Sequence, residues 1–144
     1  MLHGKYKIFY EKICPLVPKQ RLLHDPLSNL AFGTDASFYR LVPKIVIRAN
    51  NQKEIEFIMK TAWEMDIPVT FRAAGTSLSG QALSDSVLVI ATHGFKEHEI
   101  LDNGLKIRLQ PGIRGGHANR FLVPYGRKIG PDPASIDSAM IGGI

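Results

Sequence analysis

The chain has 144 residues, of which 44% are hydrophobic and 22% charged, and carries a formal net charge of +5. That is one domain or a piece of one, large enough to bury roughly two-thirds of its unfolded surface, and too apolar to be an intrinsically disordered segment. The lone Cys14 excludes an internal disulfide and a cysteine-based zinc or iron–sulfur site within this chain, and no apolar run approaches the roughly 20 residues of a membrane span.

In chain order, Lys5 to Cys14 predicts a short basic amphipathic helix whose apolar side packs on its own domain, contact with a membrane surface being the alternative. Pro15 and Pro18 break that pattern. Asp25 to Gly33 predicts a helical turn ending at glycine, which closes an N-terminal helical segment over residues 1–33. Thr34 to Pro43 follows as an ordered loop, and Ile45-Val46-Ile47 is a β-branched strand. Asn51 stands three residues before Glu54 in the pattern of a capping box. Ile55, Ile58, Met59, Ala62 and Trp63 then recur at helical spacing as one buried face up to about Met65. Asp66-Ile67-Pro68 ends the helix and Val69-Thr70-Phe71 is the next strand, so a right-handed β-α-β crossover makes the two strands parallel. Val87 to Ile90 is a third apolar strand. Glu99–Asp102 and Leu105–Leu109 form a hairpin about Asn103-Gly104 and begin an antiparallel section. Arg114 to Val123 is helical, with a stripe of Ala118, Phe121 and Leu122 that Pro124-Tyr125-Gly126 stops. The fold class is α+β, a small parallel β-α-β lobe followed by the beginning of an antiparallel lobe.

The excess positive charge sits between Asn103 and Pro131, where Lys106, Arg108, Arg114, Arg120, Arg127 and Lys128 meet no acidic residue. Only Phe121 and Tyr125 interleave with them and no nucleic-acid module is visible, so this reads as a solvated basic face and nucleic acid is not expected as a partner. His93 and His98 lie five apart, and His3, His24 and His117 are dispersed. No ligand spacing emerges and no metal is expected.

The segment carrying chemistry is Arg72-Ala-Ala-Gly-Thr-Ser-Leu-Ser-Gly-Gln81, which leaves the C-terminal end of a strand without entering a helix. Its small residues let the backbone approach a ligand, and successive N–H groups can form a concave anion site, joined by the hydroxyls of Thr76, Ser77 and Ser79. A diphosphate suits it. Neither a P-loop nor a Rossmann fingerprint occurs in the chain, and the residues by themselves also allow an ordinary polar turn.

That segment resembles the pyrophosphate loop of the FAD-binding fold shared by vanillyl-alcohol oxidase and p-cresol methylhydroxylase (PCMH-type). A second block, Pro124 to Gly143 with the run Gly130-Pro-Asp-Pro-Ala-Ser-Ile-Asp-Ser138 inside it, is similar to the later flavin-binding segment of the same fold. Asp25-Pro-Leu-Ser28 and Phe32-Gly-Thr-Asp-Ala-Ser-Phe-Tyr-Arg-Leu-Val-Pro43 resemble the D-lactate and glycolate dehydrogenase-like branch. The resemblance covers the chain from about Arg21 and implies that residues 34–144 are the N-terminal part of an FAD-binding domain.

It implies that Ala73, Ala74, Gly75, Thr76 and Ser77 meet the FAD pyrophosphate, with Ser79, Gly80 and Gln81 finishing the loop. Arg72 either compensates phosphate charge or braces the loop through backbone carbonyls. Pro131, Asp132, Ala134, Ser135, Ser138, Ile141, Gly142 and Gly143 correspond to the segment lining the cofactor from flavin ring to phosphates, although Pro131 and Ala134 equally suit simple turn roles. Two departures stand out. Many relatives attach flavin through a histidine where this chain has Thr76, so the implied FAD is non-covalent. The chain also stops at Ile144, inside the flavin-binding pattern, which reads as a truncated piece lacking a substrate domain.

The activity so implied is oxidation of a 2-hydroxy acid such as D-lactate or glycolate. A substrate domain outside this chain would bind the acid, and electrons would leave to an iron–sulfur region or a quinone. The catalytic residues are expected beyond residue 144, and the isolated piece is expected to be inactive. A cytoplasmic location is expected, with peripheral association at the inner membrane face left open. The alternatives are a flavin reductase acting on a UDP-sugar enolpyruvyl ether, and a flavin-binding module without catalysis of its own.

Overall fold

In the computed structural model, which describes residues 2–144, helix α1 (Gly4–Ile13) turns Phe9 and Ile13 fully inward. They join Val17 and Leu22 in the same core as Ile45, Ile47, Ile58, Val87 and Val89, so the apolar side of α1 is occupied by its own domain. A two-residue strand β1 (Leu22–Leu23) follows. Helix α2 (Pro26–Ala31) then starts at Asp25, whose carboxylate accepts the Ser28 N–H at 2.9 Å. Residues Thr34 and Arg40 bridge antiparallel across a strap that leads into β2 (Ile45–Arg48).

Helix α3 (Gln52–Glu64) begins where the sequence places its cap: Asn51 Oδ1 accepts the Glu54 N–H at 3.0 Å. Its buried face is Glu54, Ile58, Thr61 and Ala62. Met59 and Trp63, expected on that face, are instead 41% and 87% exposed. Each stands about 100° further round the helix than Ile58 or Ala62, which rotates it off the core. Glu54 also accepts from both guanidinium nitrogens of Arg21 at 2.7 Å and from the Asn50 N–H at 2.8 Å. An ion pair between buried Glu54 and partly exposed Arg21 thereby ties the N-terminal segment to the first turn of α3. Burial alone would raise the Glu54 carboxyl; the Arg21 fork and the Asn50 amide outweigh it and hold the group below the usual carboxylate range.

The strands β3 (Val69–Arg72) and β4 (Val87–Ile90) complete a sheet of order β1-β2-β4-β3, with β1 antiparallel to β2 and the other pairs parallel. The β-α-β unit read from the sequence is parallel, but its two strands are not neighbours. β4 lies between them, and all four of its residues are buried, as a strand covered on both faces requires. The second lobe opens with β5 (His98–Leu101) and β6 (Lys106–Leu109), paired antiparallel from His98↔Leu109 to Leu101↔Lys106. Asp102, Asn103 and Gly104 all take positive φ in the turn between them. Helix α4 (Gly115–Leu122) buries Ala118 and Leu122 and gives way to a turn closed by left-handed Gly126.

Candidate cofactor site

After β3 the chain enters no helix; residues 73–86 return to the sheet as β4. The second half of this loop is folded on itself by one hydroxyl: Ser77 Oγ donates to Gln81 Oε1 at 2.9 Å and accepts the N–H groups of Ser79 and Gln81 at 3.2 and 3.3 Å. The first half stays open. Among the described residues, the amides of Ala74, Gly75, Thr76 and Ser77 donate to no protein acceptor. Gly75 has φ +72°, and a Cβ there would stand 2.7 Å from Cζ of Arg72, so the position admits no side chain without displacing the arginine.

The opposite wall is the second block. Its middle turns back on itself through Ile136 N–H to Pro133 O at 2.9 Å and Ala139 N–H to Ser135 O at 2.7 Å. Its end is stitched to the stretch after β6, with Ile141 N–H on Ile113 O at 2.8 Å and Gly142 N–H on Pro111 O at 3.0 Å. A Cβ on Gly142 would lie 2.8 Å from Cβ of Pro111 and 3.4 Å from Cβ of Ala73. Small residues at 73 and 142 therefore let the two lobes meet.

Between these walls runs a narrow cleft of about 360 Å³, with Ala73 to Ser77 on one side and Met140, Gly142 and Gly143 on the other. Thr76, Ser77, Gln81 and Gly143 also line a wider cleft of about 820 Å³, walled by Leu78 and by Pro131 to Ser135 with Ser138, so the two adjoin at these four residues. Of the residues expected at the site, Arg72, Ser79, Gly80 and Ile141 line neither. Gly80 packs toward Tyr39, Ser79 is exposed, and Ile141 is held by Ile113. Sequence reasoning passed over Ala36, Leu78 and Met140, which do line the clefts. Ala36 lay within a block already singled out, but nothing in its type marked it as a wall.

The donor set of the narrow cleft fits a diphosphate. Ala74, Gly75, Thr76 and Ser77, whose amides have no protein acceptor, line it, Thr76 adds a hydroxyl, and no acidic residue is among its lining. In the wider cleft the carboxylate of Asp132 accepts from Lys128 Nζ at 2.7 Å. Behind the loop, Arg72 Nη1 donates to Thr34 O at 2.8 Å, and burial lowers the guanidinium pKa against the opposing charge of Asp35. Burial likewise pushes the Asp35 carboxyl up, but Ser37 and the Arg72 charge hold it below its ordinary value. The histidines stand elsewhere: His98 stacks on Phe121 at 3.8 Å and His24 meets the edge of Tyr10.

A family profile described as an FAD binding domain matches residues 43–144. This chain belongs to that FAD-binding domain family. It is 33% identical over 133 residues to the glycolate oxidase subunit GlcD of Escherichia coli (strain K12), covering 88% of this chain and 26% of that protein. It is 30% identical over 102 residues to the D-lactate dehydrogenase of Archaeoglobus fulgidus, covering 69% of this chain and 23% of that one. With the D-2-hydroxyglutarate dehydrogenase of Escherichia coli (strain K12) the identity is 27% over 120 residues, 81% of this chain and 12% of the relative. The chain thus spans about a quarter or less of the length of these curated relatives. Among solved structures, alkyldihydroxyacetonephosphate synthase superimposes with a TM-score of 0.78 at 17% identity, over 97% of this chain and 30% of that one. p-Cresol methylhydroxylase gives 0.76 at 13%, over 99% and 29%. The FAD-binding fold is therefore of the PCMH type, as the sequence resemblance implied.

Proposed function

We propose that this chain is the FAD-binding front portion of a flavin-dependent oxidoreductase that oxidises a 2-hydroxy acid such as D-lactate or glycolate. The observation carrying the reading is that two loops distant in sequence converge on two adjoining clefts, the unpartnered amides of Ala74 to Ser77 on one side and residues 131–143 on the other. The relatives named for glycolate, D-lactate and D-2-hydroxyglutarate support the substrate class.

FAD, when bound, supplies the hydride-accepting chemistry. This chain's residues bind and orient. The amides of Ala74, Gly75, Thr76 and Ser77 would hold the diphosphate, with the Thr76 hydroxyl as an added donor and no covalent bond. Leu78 and the Pro131–Ser138 wall would exclude water from the wider cleft. No catalytic residue is assigned to this chain, and an iron–sulfur region or a quinone is the electron acceptor this reading calls for. No helix among the described residues is long and apolar enough to cross a membrane.

The binding half of the reading is tested by titrating the protein with FAD and following flavin fluorescence; saturable quenching is expected, and its absence sinks the assignment. The reaction is tested on a longer protein carrying this chain. It should be yellow as purified and bleach anaerobically with D-lactate or glycolate, whereas bleaching by NADPH alone would favour a reductase.

A further inference from the structure

We propose that Arg72 is a positioning residue, a strut behind the phosphate loop that makes no contact with the diphosphate; the inference rests on the FAD-site reading above. Arg72 is absent from the lining of the cleft that its successors Ala73 to Ser77 form. Its guanidinium reaches the strap instead: Nη1 donates to Thr34 O at 2.8 Å and, more weakly, to Phe32 O at 3.4 Å, while Cζ stands 5.8 Å from the Phe32 ring centroid.

The guanidinium fills the space beneath Gly75, the same space that forbids a Cβ there. The strap it grips holds the loop a second time, through Ala36 N–H to Gly75 O at 3.1 Å. Arginine and strap thus clamp Gly75 from below and from the side. The four amides of Ala74 to Ser77, all in residues lining the cleft, are left without protein acceptors of their own. Charge agrees with this placement. Asp35 of the strap buries an Oδ2 that has no hydrogen-bond partner, and its negative charge compensates the half-buried cation. A phosphate ligand would gain nothing from such neutralisation, whereas a strut that must stay buried requires it.

A planar guanidinium that fills the space beneath Gly75, lies by an aromatic ring and reaches two carbonyls through one nitrogen is not reproduced by an ammonium, and this separates the two roles. Arg72→Lys and Arg72→Met are compared with the unaltered protein in two measurements. The first needs no cofactor: hydrogen exchange of the Ala36 amide, which reports the strap-to-loop bond, with Ile58 in α3 as the control for an intact fold. Both variants are expected to speed Ala36 exchange about tenfold and leave Ile58 unchanged. In the second, FAD affinity should fall about tenfold in both variants, with the salt dependence of binding as steep as in the unaltered protein. If Arg72→Lys keeps Ala36 protected, or if Arg72→Met binds FAD with a shallower salt dependence, the strut is wrong and the arginine is a phosphate ligand. Should the unaltered protein bind no FAD, the functional reading fails by itself, and Ala36 exchange still decides whether the strut exists.

Discussion

Gly75 combines a backbone conformation that L side chains rarely adopt with a floor already taken by Arg72. Gly75→Val must therefore either unwind the loop or eject the arginine, and in both cases the amides of Ala74 to Ser77 lose their alignment. FAD binding should weaken by about 1–3 kcal/mol, the scale of leaving a charged acceptor without its donors, as read by fluorescence titration. An affinity within error of the unaltered protein would reduce the loop to an ordinary turn. One residue further on, Thr76 offers a hydroxyl that is a poor nucleophile without an activating base. Acid precipitation of the flavin-loaded protein should accordingly leave the yellow colour in the supernatant; a flavin-bearing peptide from residues 72–81 would contradict this. Glycine, alanine and hydroxyl residues after a strand were enough to mark this loop in the sequence. What the sequence did not reveal is the support: Asp35, Ala36 and Thr34 reach Gly75 and Arg72 across some forty residues, a distance over which no local pattern speaks.

The first turn of α3 shows the same division at the level of an element. Its capping box is visible in the spacing of Asn51 and Glu54, but the partner that buries Glu54 is Arg21, thirty-three residues upstream. Glu54→Gln keeps the shape of the site while leaving Arg21 without a counter-charge. A loss of about 2–4 kcal/mol is expected in urea denaturation, below the full effect of an unpaired buried charge because Arg21 retains some solvent. The pH dependence has a definite sign. The folded carboxyl titrates below its unfolded value, so its stabilisation is fully present above an unfolded pKa of about 4.3 and drains away as pH falls through the lower folded value. The stability gap between the two proteins should be flat from neutrality to about pH 5.5 and narrow below about pH 4. A gap that persists at pH 2 would mean that Glu54 acts through shape and not charge. Periodicity, by contrast, misjudged the width of the helix face, because Met59 and Trp63 satisfy the spacing and yet lie past its margin. It also could not place β4, since strand order depends on which edges meet in space.

For the whole molecule, the two lobes meet where Ala73 stands against Gly142, while the stitches from residues 139–142 to residues 111–115 fix that wall within the second lobe. A chain covering about a quarter of the length of its glycolate oxidase relative should fold, bind FAD weakly and turn over neither D-lactate nor glycolate. Dye reduction by this chain supplied with FAD and either acid would refute that expectation. The central place of β4 matters while such a chain is being made. Residues 45–72 leave the ribosome before residues 87–90, and the inner edges of β2 and β3 then face water, because the backbone groups they will bond to have not yet emerged. β2 can at once pair with β1, but β3 has no neighbour until Val87–Ile90 emerges. The phosphate loop is the stretch that emerges during that interval. A chain halted with residues 73–90 still inside the exit tunnel would hold out two strands with open edges, the kind of nascent chain that recruits chaperones or aggregates.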